Sequence, residues 1–439
     1  MTHHTENTSH PEQYDALTTL PNRALFNEAL NKAISYAKRH DKVLALLLIN
    51  LDQFENINAD QSPTVGDMIL KTIAERFKKV LRTEDTLARL DGDEFVILLH
   101  DIVKPKFASV VAEKILRACA EPIQECSVTA SIGISVYPQD GSSLEDLLGY
   151  ANDALYRAKN AGGNVYQFHT EELHLEANEY IQLGTALRNA IQNNELVLYY
   201  QPKLHIKKGN LIGVEALIRW VHPEFGMIQP AKFLLLAEET GLIIQLGEWV
   251  LREACKTNKY WQNEGYEHIV VAVNLSEKQF QHPDLVKTIN GILKETNLNP
   301  QYLELEINES SVMSDIETAA KKLDAIKTTG VQITIDHFGT GYTSISYLKR
   351  FPLSTIKIDQ SFIIGVPNNP NDSAITNAFI ALAHHLGMEA VAEGVETAEQ
   401  VEYLTEQNCD IIQGYFISYP LPAKKIEQQL KKLMDRTMI

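Results

Sequence analysis

In the second half of the chain, polar side chains recur at or near the ends of short apolar runs: Gln201, Glu215, Asn274, Glu306, Asp336, Lys357, Glu393 and Gln413. Any one of them alone reads as a strand end meeting solvent, but eight in series weaken that reading. Four carboxylates and the Asn274 amide focused on one point would repel one another unless cations neutralised them. Oxygen-rich donor sets of this kind suit Mg²⁺ or Mn²⁺. A centre of one or two divalent ions is the physical inference, and the chemistry of such a centre is activation of water and stabilisation of developing negative charge.

The elements that must position these groups are legible as eight strand-like runs: "LVLYYQPKLH", "VEALIRW", "IVVAVNLS", "LELEINES", "VQITIDHFG", "TIKIDQSF", "EAVAEGVE" and "IIQGYFIS". Most are separated by segments of helical period. The pattern predicts a (β/α)8-type barrel, in which strand ends converge on one mouth where active sites are built.

The first half has a different rhythm. A helical pattern "RALFNEALNKAISYAKRH" from residue 23 precedes the buried-strand run "VLALLLINLDQF", and a second helix pattern, "VGDMILKTIAERFKKVL", leads to a hairpin around Asp91-Gly92. Then follow "SVTASIGISVYP", the helix pattern "LEDLLGYANDALYRAKNAGG" with glycines suited to its C-terminus, and the short run "NVYQF". The expectation is an α/β chain: an α+β sandwich over residues 12–168, a charged helical connector over 169–184 and a barrel over 185–430.

Composition narrows the function. With 40 Lys plus Arg against 57 Asp plus Glu, the net charge is −17 over 439 residues, which disfavours DNA or RNA polymers. A small anionic ligand is still compatible, because metals held by carboxylates reverse the local field. Cys119, Cys126, Cys255 and Cys409 show no C-x-x-C spacing and read as free thiols in a reducing compartment. No apolar run of about 18 residues and no signal-peptide pattern occurs, so the expected location is cytoplasmic, without a membrane span. His3, His4 and His10 read as part of a solvated tail rather than as ligands.

The motifs "YYQPKL", "EALIRW", "NLS", "LELEINES", "DHFGTGYTS", "IKID", "AEGVE" and "QGY" resemble the ordered series of the EAL cyclic di-GMP phosphodiesterases, across essentially residues 185 to 430. The resemblance implies Mg²⁺- or Mn²⁺-dependent hydrolysis of cyclic di-GMP to linear pGpG, at a centre of one or two ions. It implies Glu215, Asn274, Glu306 and Asp336 as ligands of a first metal, with Glu393 a further acidic residue of the centre. Lys357 resembles the lysine that holds the attacking water, and Glu309 the glutamate that steadies the Asp336 to Ser344 loop. Gln201, Gln413 and Arg219 resemble contacts on the substrate or water side. His337 departs from the pattern, which has a second Asp there to help hold the second metal. An imidazole can still ligate Mn²⁺ or Zn²⁺, but with one lone pair and no negative charge.

The first half, across roughly residues 12 to 168, resembles the GGDEF diguanylate cyclase domain through "DALTTLPNR", "LLLINLDQF", "RTEDTLARLDGDEF", "SIGIS" and "ALYRAKNAGGN". The resemblance implies two acidic metal ligands; here Asn50 stands at the first and Asp93 at the second. Glu55 stands in place of a Lys, Ser62-Pro63 in place of Gly-His, Gly163 in place of an Arg and Asp91 in place of the first Gly of the signature. A catalytically inactive, degenerate domain is expected. Asn58 and Asp67 match the guanine-recognising pair, so GTP binding without turnover is compatible, and Arg82 and Asp85 match an R-x-x-D site that would grip cyclic di-GMP.

Three functions are therefore set against each other: a phosphodiesterase regulated by an inactive first domain, a non-catalytic cyclic di-GMP receptor that signals to a protein effector, and a scaffold that binds no nucleotide. Homodimerisation is implied only by analogy.

Overall fold

The continuous apolar run Leu44–Leu51 forms strand β1 in a computed structural model of the chain, and all of its residues are buried. The structure describes residues 13–60, 62–124, 126–266, 269–313, 315–340 and 348–437, in two units, residues 1–185 and 186–439.

In the first unit β1 is flanked by antiparallel neighbours in a sheet of order β2-β3-β1-β4-β5. The other strands are β2 (Thr86–Asp91), β3 (Glu94–Leu99), β4 (Ala130–Tyr137) and β5 (Tyr166–Phe168). Helices α1 (Arg23–His40), α2 (Phe54–Asp60), α3 (Pro63–Val80), α4 (Ala108–Ala120) and α5 (Leu144–Asn160) cover it. A strand with helices on both faces has no solvent side, which is why β1 shows no polar alternation. Leu44, Leu46 and Leu48 pack with Phe26, Leu30 and Leu147, while Ala45, Leu47 and Ile49 pack with Ile69, Ile73 and Phe77. The expected hairpin joins β2 to β3, with Gly92 at φ +47° supplying the left-handed backbone of the turn.

The segment expected as a helical connector lies in a longer helix, α6 (Glu171–Gln192), and the boundary between the two units falls within it.

The second unit is an eight-stranded barrel. Its strands are β6 (Leu196–His205), β7 (Asn210–His222), β9 (Val270–Leu275), β10 (Leu303–Asn308), β11 (Gln332–Phe338), β12 (Thr355–Ile358), β13 (Glu389–Glu393) and β14 (Ile411–Gln413). Short strands β8 (Gly226–Ile228) and β15 (Leu421–Pro422) extend it. From β7 to β14 neighbouring barrel strands are parallel. Strand β6 closes the ring antiparallel to both β7 and β14, so the first two strands are a hairpin and not a βαβ unit. Gln201, mid-strand on β6, consequently pairs with Glu215 and reaches the mouth from a strand running the opposite way.

A Cβ at Gly133 of β4 would run into the backbone of α5 at Ala151 and Leu155, so strand and helix touch main chain to main chain there. Gly133→Val should therefore destabilise the first unit by about 1–3 kcal/mol or more. Thermal and denaturant unfolding followed by circular dichroism tests this, and an unchanged midpoint would refute the contact.

Candidate metal centre

Strand β12 brings Lys357 to the barrel axis, 1 % exposed. Its ammonium donates to Glu215 Oε2 and Glu306 Oε2, each at 3.0 Å, and lies 3.5 Å from Asp336 Oδ1 and 3.6 Å from Glu393 Oε1. Burial alone would lower the Lys357 pKa, but Glu215, Glu306, Asp336 and Glu393 together raise it well above the ordinary lysine value. The group is therefore a permanent cation.

Other contacts fix the carboxylates individually. Asn274 Nδ2 donates to Glu215 Oε1 at 2.6 Å, which leaves the amide oxygen of Asn274 as its donor atom for a cation. Gln413 Nε2 donates to Glu215 Oε2 at 2.6 Å and to Gln201 Oε1 at 3.1 Å, and Gln201 Nε2 donates to Ser418 O. One layer below, the buried Lys203 ammonium donates to Glu304 Oε1 at 2.7 Å and Glu306 Oε1 at 2.5 Å, and Thr334 donates to the same Glu304 oxygen. Both oxygens of Glu306 are thus held by ammonium groups.

Five carboxylates (Glu215, Glu304, Glu306, Asp336 and Glu393) and two ammoniums (Lys203 and Lys357) form this cluster. Fully ionised, it carries a net charge of about −3, and burial of uncompensated charge is costly. The strain is visible at Glu393: burial pushes its pKa up to about 7, Lys357 opposes, and Asp336, Glu215 and Glu306 add to the rise. Its Oε2 is buried without a hydrogen-bond partner. A surplus of negative charge, an oxygen-rich donor set and an orphaned carboxylate oxygen fit divalent cations.

The sequence-adjacent pair Asp336 and His337 reaches this centre through an irregularity of the sheet. Ile335 pairs with Ile356 and Phe338 with Ile358, so Asp336 and His337 together oppose the single residue Lys357. Such a β-bulge re-aims side chains that regular alternation would send to opposite faces. Asp336 is buried, while the His337 side chain is 47 % exposed and its backbone has φ +53°. Ligand atoms of Asp336, His337 and Glu393 lie within 4.8 Å of one another. His337 Nδ1 is 2.7 Å from Asp359 Oδ2, and Nε2 is 3.7 Å from Asp336 Oδ2. Burial alone would lower the His337 pKa, but Asp336, Asp359 and Glu393 raise it.

Glu309, the first residue after β10, accepts from the Gly339 amide at 2.9 Å, which ties down the chain just after the bulge. Ser344 lies outside the described residues. Gly339 is itself required there, since a Cβ would come within 2.6 to 2.9 Å of the Phe379 and Phe362 rings. Arg219 lies on β7, half-buried, its guanidinium 5.6 Å from the centre of the Tyr199 ring and bonded to Ile218 O. Lys203, Glu304 and Asp359 were not singled out in the sequence, although each follows or precedes a singled-out residue by two positions, the spacing that puts side chains on one face of a strand.

In the first unit, Asn50 at the end of β1 bonds to Asp93, whose pKa is raised mainly by burial. Asp85 accepts from the backbone amides of Arg82 at 3.1 Å and His100 at 3.4 Å, so its carboxylate closes a local turn. The Asn58 side chain lies outside the described residues.

A family profile described as "EAL domain" matches residues 185–420, the segment that builds the barrel and its acidic mouth. The chain belongs to the EAL domain family. A second profile, "Diguanylate cyclase, GGDEF domain", matches residues 12–165, so the chain is a tandem GGDEF–EAL protein of cyclic di-GMP signalling. The protein "Bifunctional diguanylate cyclase/cyclic di-GMP phosphodiesterase MucR" of Pseudomonas aeruginosa is 43 % identical over 417 residues, covering 94 % of this chain and 61 % of MucR. "Cyclic di-GMP phosphodiesterase NbdA" of the same organism is 38 % identical over 423 residues, covering 95 % of this chain and 54 % of NbdA. The chain thus spans roughly half to three-fifths of the length of these curated relatives. Among solved structures, "PaMucR Phosphodiesterase, c-di-GMP complex" shares 46 % identity at a TM-score of 0.55, covering 56 % of this chain and 99 % of that one. No helix among the described residues is long and apolar enough to cross a membrane.

Because Lys357 is the one ammonium shared by the four carboxylates of Glu215, Glu306, Asp336 and Glu393, Lys357→Met should destabilise the EAL barrel by about 3–5 kcal/mol. Added Mn²⁺ should recover part of the loss, since it replaces the missing positive charge. Thermal unfolding with and without Mn²⁺ tests both parts; a variant as stable as the parent would mean that Lys357 does not balance the cluster.

Proposed function

We infer that the EAL barrel hydrolyses cyclic di-GMP to linear pGpG. The observation that carries this reading is the buried carboxylate cluster of net negative charge built around Lys357, which is arranged to hold cations and not merely an anionic ligand. Similarity to the MucR phosphodiesterase domain, solved with cyclic di-GMP, supports the choice of substrate.

Glu215, Asn274, Glu306 and Asp336 would hold a first divalent ion, and Asp336, His337 and Glu393 would hold a second. Bound there, Mg²⁺ or Mn²⁺ supplies Lewis acidity that lowers the pKa of a water and offsets the charge growing on the phosphodiester. Lys357 donates to the attacking water and keeps its lone pair directed at phosphorus. Water oxygen bonds to phosphorus, the P–O3′ bond breaks, and O3′ leaves as a hydroxyl with the proton that the water lost. Glu309 fixes the backbone beyond the bulge through Gly339, so Asp336 and His337 keep their places. Gln413, braced by Gln201, holds Glu215 from the far side, and Arg219 offers a cation to a phosphate or guanine oxygen.

The first domain is proposed to be inactive as a cyclase. Its support is Asn50, a neutral amide where the GGDEF pattern has a metal-binding acid, which leaves Asp93 as the remaining carboxylate of that pair. GTP without turnover would bind to the surviving guanine-side residues, and Arg82 with Asp85 would act as a cyclic di-GMP-binding site. Incubated with GTP and Mg²⁺, the chain should yield no cyclic di-GMP by chromatography; product would make it bifunctional, as the name of MucR states for that protein.

A second reading, a non-catalytic cyclic di-GMP receptor acting on a protein effector, is favoured by His337 together with the departures of the first domain from the GGDEF pattern. Chromatography of cyclic di-GMP incubated with Mg²⁺, Mn²⁺ or no metal, together with calorimetry, separates the two. Metal-dependent pGpG is the expected result, and tight binding without product at high protein concentration would overturn the phosphodiesterase. Glu215→Ala removes a direct ligand and should cost at least the ~10–100-fold typical of outer partners of a metal.

A further inference from the structure

We propose that His337 and Asp359 form a carboxylate–histidine pair that makes the outer half of the EAL centre a nitrogen-containing site, selective for transition-metal dications over Mg²⁺. The inference rests on the metal-dependent reading of the barrel and specifies which ion class one part of it takes. Three observations carry it.

The first is the bulge opposite Lys357, which delivers two consecutive side chains to the mouth and leaves His337 at the rim with φ +53°. A non-glycine residue in that region is uncommon, and histidine is among the types that tolerate it. The second is orientation. Nδ1 faces Asp359 Oδ2 at 2.7 Å, and a carboxylate there fixes the ring proton on Nδ1, which leaves the Nε2 lone pair as the ligand. Asp359 is in turn fixed, because its Oδ1 accepts from the Ser361 amide at 2.8 Å and caps the short helix Gln360–Ile363. The third is convergence: donor atoms of His337, Asp336 and Glu393 lie within 4.8 Å of one another, with Glu393 Oε2 buried and unpartnered.

A donor set of one imidazole and two carboxylates differs chemically from an all-oxygen one. Imidazole suits Zn²⁺, Co²⁺, Mn²⁺ and Fe²⁺, whereas Mg²⁺ prefers oxygen and keeps several waters. A second-sphere carboxylate raises the basicity of the imidazole and fixes its angle, and such partners typically account for ~10–100-fold in metal affinity. His337 thus trades Mg²⁺ affinity for transition-metal affinity, and Asp359 is the positioning residue that makes the trade effective.

The test uses the full chain and metal salts alone, without nucleotide. Calorimetric titration of the metal-free protein should show two Co²⁺ or Mn²⁺ ions and a single Mg²⁺ ion. The Co²⁺-loaded chain should give a hyperfine-shifted proton resonance that vanishes in D₂O, the signature of an Nδ1–H on a cobalt-bound imidazole. His337→Asp should abolish that resonance and add a second Mg²⁺ equivalent. Asp359→Asn retains an oxygen to cap the helix but presents an amide that does not accept from Nδ1–H in the same way; it should weaken the second Co²⁺ by ~10–100-fold and leave the first in place. Equal Co²⁺ affinities in the parent and Asp359→Asn, or a Co²⁺ form without the exchangeable resonance, would overturn the proposal. Its failure is distinguishable from failure of the phosphodiesterase reading: imidazole ligation without pGpG formation removes the activity and keeps the site, and pGpG formation without imidazole ligation does the reverse.

Discussion

The ammonium of Lys357, buried at the barrel axis, is the charge around which the EAL mouth is built. Four carboxylates approach it within 3.0 to 3.6 Å, and two like charges at about 4 Å repel by roughly 4 kcal/mol at the effective dielectric of a protein surface. One cation cannot balance four anions, and Lys203 below is already engaged with Glu304 and Glu306. The remaining demand for positive charge is met partly by proton uptake at Glu393, whose pKa burial raises, and can be met fully by divalent ions. Affinity for metal is in this sense a property of the barrel's charge balance and not of any one ligand.

Strand geometry determines which carboxylates take part. Alternation along β10 puts Glu304 and Glu306 on one face, at successive depths of the barrel, so one serves the lower lysine and the other both lysines. Parallel register sets Glu306 beside Asn274 on β9, and the antiparallel β6–β7 hairpin sets Gln201 beside Glu215. The bulge at Asp336 and His337 breaks this alternation on β11 and doubles the number of donors that the strand contributes.

Much of this was legible in the sequence because apolar runs and the polar residues ending them survive any uncertainty in helix boundaries. The eight barrel strands and the convergence of Glu215, Glu306, Asp336, Lys357 and Glu393 follow from that pattern. Strand direction does not: an alternating run such as Leu196–His205 reads the same parallel or antiparallel, so the opening hairpin is a tertiary fact. A bulge is equally hidden, since it is a mismatch between two strands rather than a feature of one. Lys203 and Glu304 escaped notice because a lysine or glutamate inside a strand is ordinarily a solvent-facing residue, and only the closed barrel turns both inward. The R-x-x-D spacing of Arg82 and Asp85 was visible, but the bonds from two backbone amides to Asp85, which give it a local structural role, were not.

The two units also differ in how closely their chemistry is bound to their stability. In the first, the core is made by the apolar residues of β1 and by Gly133, while Asn50 shares that strand without belonging to the core and Asp93 lies in the β2–β3 turn. A neutral Asn50 bonds Asp93 where a second carboxylate would repel it, so departure from the acidic pattern there relieves local charge. In the barrel, the candidate ligands Glu215, Glu306 and Asp336 are also, with Lys357, the packing of the mouth, and removal of Lys357 leaves their buried charges uncompensated. Only the rim escapes this coupling. His337, nearly half exposed, can change from the family's acid to an imidazole without orphaning a buried partner, because Asp359 accepts its proton. The position where this chain departs from the EAL pattern is thus the one where the structure tolerates a change of ligand most easily.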